Sequence, residues 1–144
     1  MKLKLDIDAL NEDFFEDAFL LGIIVTAKSY RFCWQVNNVL GYNFRLNTDI
    51  NIEIQKKGRR YFFPVYQHTE SVTDINHYIY HNQYDGEYLL PEFKHMDFLW
   101  LVKGGVPPYN YAQQIIQSVK QINGVQLVAE LTNEKIKTKG NLVF

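Results

Sequence analysis

The chain has 144 residues, 47% hydrophobic and 22% charged, which suits one globular domain spanning 1–144. Fifteen Lys and Arg stand against 16 Asp and Glu, a net charge of −1 that argues against nucleic-acid binding, since phosphate affinity needs clustered positive charge. The one cysteine, Cys33, excludes an internal disulfide and points to a reducing, cytoplasmic home.

The N-terminus alternates Leu3, Leu5 and Ile7 with Lys4 and Asp6, the period-two pattern of a half-buried strand near an edge. It carries no apolar signal-peptide core. The run Ala18 to Ala27 is only about half a membrane span, so no membrane partner is expected. Leu10 to Asp17 reads as an acidic connection. Phe19 to Val25 is apolar on both faces, as in a central strand.

Ser29 is placed to cap a helix whose stripe is Phe32, Cys33, Val36, Val39 and Leu40, with Gly41 as its stop. Ile50, Ile52 and Ile54 alternate again. Lys56-Lys57-Gly58 then turns the chain into a returning strand from Arg60 to His68, where Pro64 argues for an edge or a bulge. Ile75 to Asn82 is another strand, and Tyr84-Asp85-Gly86 a turn leading to Glu87–Leu90. Pro91 cannot donate to a ladder, so the strand ends there. Proline suits the first turn of a short helix, with Glu92 favourable beside its N-terminus. Phe98 to Val102 is a second apolar central strand. The segment from Lys103 to Pro108 leads to a helix with the stripe Ala112, Ile115, Ile116, Val119 and Ile122, ended by Gly124. Val125 to Leu131 is the last strand, and the tail from Asn133 has no assignment.

Apolar strand, helix and strand thus recur over 18–55 and 97–131. The aromatic fraction of 15% also favours sheet. The expected fold is α+β: two layers, a mostly antiparallel sheet with two main helices packed on one face.

The stretch LPEFKHMDF (90–98) resembles the motif that names the IPExxxVDY family, a group of small Bacteroidota proteins. Pro91, Glu92 and Asp97 stand at the motif's positions. Leu90 replaces Ile, Met96 replaces Val and Phe98 replaces Tyr, all keeping size and apolarity. The early KLKLDID, the helix SYRFCWQVN and the LVKG after the motif also look like the family. The resemblance implies a cytoplasmic bacterial protein and brings no activity with it.

Candidate chemistry is sparse. Glu92 and Asp97 could form an acid/base pair or bind metal, but helix and turn capping accounts for both more simply. His77 and His81 share a strand face at roughly 13 Å, too far apart for one metal. With His68 and His95 they form no HExxH-type pattern, and no CxxC pair exists, so no metal or cofactor is expected. Lys103, Gly104 and Gly105 precede a helix and could cradle an anion. Pro107 and Pro108, however, remove donors where a phosphate would want them. Cys33 lies in a buried stripe, an inert thiol. The basic turn Lys56, Lys57, Arg59 and Arg60 reads as a solvated hairpin tip.

Trp34 is different. At 100° per residue it points away from the stripe, with Tyr30 one turn before it and Arg31 beside it, a composition typical of binding hot spots. The simpler account has a terminal segment folding over it. The expectation is a non-enzymatic interaction or regulatory module, with Tyr30, Arg31 and Trp34 meeting a protein partner or a second copy. The alternative is a small-ligand-binding domain or enzyme with a pocket near Glu92, Asp97 and Lys103.

Overall fold

The computed structural model describes residues 17–50, 52–105 and 107–142. The strand expected around Leu3–Ile7 lies outside them. Among the described residues, ten strands and two α-helices follow in order. The strands are β1 (Ala18–Val25), β2 (Arg45–Leu46), β3 (Ile52–Lys56), β4 (Arg59–Phe63), β5 (Val65–Thr69), β6 (Asn76–His81), β7 (Gln83–Tyr84), β8 (Glu87–Tyr88), β9 (Phe98–Lys103) and β10 (Val125–Leu131). The helices are α1 (Ser29–Leu40) and α2 (Tyr111–Val119). Six strands form one sheet in the order β10-β1-β9-β6-β5-β2, and every neighbouring pair is antiparallel. The fold is α+β, as the sequence implies.

The two fully apolar runs are central because both of their faces are covered. In β9, Phe98, Trp100 and Val102 face the helices, while Leu99 and Leu101 face the other way. In β1, Leu21, Ile23 and Val25 join the helix side and Leu20 the opposite one. Period two along each strand assigns the faces. On the helix side Phe32, Cys33 and Val36 of α1 and Ile115, Ile116 and Val119 of α2 complete the core. On the second side the β3–β4 hairpin contributes Ile52, Tyr61 and Phe63, and the C-terminal segment contributes Ile136 and Leu142. That segment is held in two short 3-10 turns, Asn133–Lys135 and Lys139–Leu142.

Three local expectations change. The strand expected over Arg60–His68 is two strands: β4 pairs with β3 in a separate ribbon, and β5 joins the main sheet. Pro64 sits at the break, where a missing N–H costs no ladder bond. Ser29 is the first helical residue, not the cap. Lys28 occupies the cap position without a side-chain bond, and the Ser29 hydroxyl lies 3.3 Å from the Tyr66 hydroxyl. The second helix ends at Val119, short of Gly124, although Ile122 stays buried in the turn that follows.

The Lys103–Gly105 turn brings two chain segments into contact. Gly105 has a positive φ, and a Cβ there would lie 2.5 Å from the Thr73 carbonyl oxygen and 2.8 Å from Ile75 Cγ1. Gly105→Ala therefore combines backbone strain with a backbone clash, and should lose about 2–3 kcal/mol in thermal unfolding. Gly41 at the end of α1 also has a positive φ but open space around it. Gly41→Ala should lose about 1 kcal/mol. Equal losses in the two variants would show that the 73–75 backbone moves aside.

Candidate functional site

The motif residues serve the architecture. Pro91 opens a 3-10 turn (Pro91–Phe93) at its first position, and Glu92 follows. The Glu92 carboxylate accepts the Lys137 and Thr138 N–H groups at 2.6 and 2.7 Å and the Thr138 hydroxyl at 2.8 Å. It thereby clamps the C-terminal segment onto the second face of the sheet. Burial alone would raise its pKa, but these donors outweigh burial and hold it below the usual range. Asp97 extends a ladder: its N–H donates to the Ile23 carbonyl at 2.8 Å, and its carboxylate accepts the Val25 N–H at 2.9 Å, where the β1 register shifts. Glu92 and Asp97 thus serve different segments. Lys103 Nζ lies 3.3 Å from an Asp17 carboxylate oxygen.

Asn82, which the sequence places at the end of a strand, lies just past β6 and holds the motif. It is completely buried. Its amide nitrogen donates to the Phe93 and Met96 carbonyls at 2.8 and 3.0 Å, and its oxygen accepts the Leu90 N–H at 2.8 Å.

A second polar cluster sits at the edge of the helix-side core. His77 is fully buried on β6. Trp100 Nε1 donates to His77 Nδ1 at 3.1 Å, so the ring proton is on Nε2, which donates to Glu70 at 2.7 Å. The Tyr111 hydroxyl donates to the same carboxylate oxygen, and Tyr42 donates to Tyr111 at 2.7 Å. Thr73 donates to the other oxygen at 3.1 Å. Asn37 ties down the loop after α1, its side-chain amide bonding the Phe44 N–H and carbonyl. Across the ladder from His77, His68 stacks on the Tyr42 ring at 4.5 Å. Burial lowers the pKa of His77 and raises that of Tyr42 and, much further, Tyr111. Burial would raise Glu70, yet its three donors bring it below the ordinary value. The carboxylate is charged and takes three donors, two on one oxygen and one on the other. No group of three His, Cys, Asp or Glu among the described residues could hold a metal. The cluster joins residues from β5, β6, β9 and both helix ends, and only the strand register brings them together.

The α1 face is open. Its stripe of Phe32, Cys33 and Val36 is buried, and burial pushes the Cys33 thiol up to about 12. One turn apart on the outer side, Tyr30 is 65% and Trp34 64% exposed. With exposed Arg31 they line a cavity of about 520 Å³. The C-terminal segment covers the opposite face of the sheet, so it is not what folds over Trp34. Tyr30 and Arg31 also line a neighbouring cavity of about 570 Å³ with Thr26, Ala27, Lys28, Gln35, Asn123 and Gly124. Tyr30, Arg31 and Trp34 are therefore together, whereas Glu92, Asp97 and Lys103 are each engaged by a different partner.

The architecture is that of an α+β fold with two aromatic side chains exposed on one helix face. Comparison with protein-family models, with curated proteins and with solved structures finds no match to this chain. No helix among the described residues is long and apolar enough to cross a membrane.

Proposed function

We propose that the chain is a cytoplasmic, non-enzymatic interaction or regulatory module, and that Tyr30, Arg31 and Trp34 on α1 are its contact face. The observation that carries this reading is the pair of large aromatics exposed one turn apart, beside a cation, opposite a well-buried stripe. Aromatic and arginine anchors supply most of the energy in protein interfaces. The alternative, a ligand pocket around Glu92, Asp97 and Lys103, is less favoured because those side chains are occupied by the fold.

Trp34→Ala should leave thermal unfolding nearly unchanged, within about 0.5 kcal/mol, because an exposed side chain contributes little to the core. The same variant should lose a partner that the wild type captures and that is identified and re-bound in purified form. A strongly destabilised Trp34→Ala would make the residue part of the core and end the proposal.

A further inference from the structure

The groove over the start of α1 has a chemistry of its own. Two cavities meet at Tyr30 and Arg31: one is aromatic, lined by Trp34, and the other is polar and basic, lined by Lys28. Among the described residues, neither is lined by an acidic one. The first turn of α1 holds no acid, and Lys28 at the cap position makes no side-chain bond to it. Helix geometry leaves the N–H groups of Ser29, Tyr30 and Arg31 without intrahelical acceptors, so this end is electropositive. Gln35 adds a polar side chain to the second cavity, its Oε1 closed off from solvent.

We propose that this groove recognises an acidic peptide segment of a partner protein, carrying a large apolar side chain next to its carboxylates. The proposal rests on the interaction reading above and names the partner's chemistry. The apolar side chain enters the Tyr30–Trp34 cavity. The carboxylates lie against Arg31, Lys28 and the open end of α1. An apolar partner without charge would leave the cations and the helix end unanswered. A nucleic acid would need more positive charge than these two side chains provide.

The test is selection from a displayed library of short random peptides on the full chain, with Arg31→Glu as the counter-selection. The expected result is enrichment of peptides that combine Asp or Glu with one aromatic or large aliphatic residue. A selected peptide, resynthesised, should lose roughly tenfold or more in affinity to Arg31→Glu, and should weaken as salt rises. Apolar peptides without acids, bound equally by Arg31→Glu, would overturn the acidic partner and leave the contact face standing. Peptides that ignore both Trp34→Ala and Arg31→Glu would overturn the face as well. Sedimentation showing that wild type pairs with itself through this face, and that Arg31→Glu does not, would replace the acidic peptide by a second copy.

Discussion

Replacing Asn82 by alanine is expected to cost the fold about 3–4 kcal/mol, because it strands three polar groups in a dry interior. The Leu90 N–H and the Phe93 and Met96 carbonyls all use this one side chain. Water cannot replace it easily, since Asn82, Leu90 and Phe93 are buried together. Asn82→Asp should cost at least as much: it keeps an acceptor for Leu90 but turns a carboxylate oxygen toward two carbonyls. Urea denaturation of both variants checks the magnitude. The damage should also reach the C-terminus, because Glu92 is carried on the turn that Asn82 holds and clamps residues 137 and 138. Limited proteolysis beyond Leu131 should therefore be faster in the variant. A loss under about 1 kcal/mol would mean that apolar packing alone holds the motif.

The second large effect is loss of stability in acid, in two stages. His77 has a lowered pKa in the fold, from burial, against 6.5 in the unfolded chain. Below pH 6.5 the unfolded state takes up a proton that the folded state refuses, so stability is complete above that pH and falls as the pH drops. The slope for one such proton is about 1.4 kcal/mol per pH unit. The groups facing His77 are Glu70 from the β5–β6 connection, His68 from β5, Tyr42 from the loop after α1 and Tyr111 from α2. His68 and His81 are lowered by burial as well, so they act in the same direction. The second stage involves Glu70 and Glu92, both held below the ordinary 4.5 by their donors despite burial. Their contribution is present above pH 4.5 and is lost as the pH falls through their folded values. Geometry gives the histidine stage a structural cause, because a protonated His77 would turn an N–H toward the Trp100 N–H. Denaturation measured from about pH 7.5 down to about pH 5 should show the first stage, and His77→Gln should flatten it. An unchanged slope in that variant would move the effect to the other two histidines.

Much of the fold was legible because burial on both faces leaves a mark in the chain. Phe19–Val25 and Phe98–Val102 lack alternation, and they are the inner strands. The stripe of Phe32, Cys33 and Val36 identified the inner side of α1, and the same rotation placed Trp34 outside. Pro91 marked a strand end and a turn start through its missing N–H. What stayed hidden depends on register. His68 and His77 face each other only because β5 and β6 pair as they do. Tyr111 reaches Glu70 across 41 positions. Pro64 was visible as an irregularity, but not as a junction between two sheets. Asn82 reads as the last residue of a strand, because its partners belong to a segment that returns to it in space. Glu92 was recognised as a carboxylate seeking N–H donors; the donors came from the far end of the chain instead of from its own turn.

The buried thiol on α1 makes the protein a gauge of its own motion. Reagents attack the thiolate, and Cys33 is both covered and strongly disfavoured as an anion. Its modification must wait until α1 lifts from the sheet, so the labelling rate, set against that of a free cysteine, reports how often the helix opens. The same helix carries Tyr30, Arg31 and Trp34 on its outer side. Whatever grips that side should slow a reaction on the inner one, and occupancy of the surface can be timed from within the core.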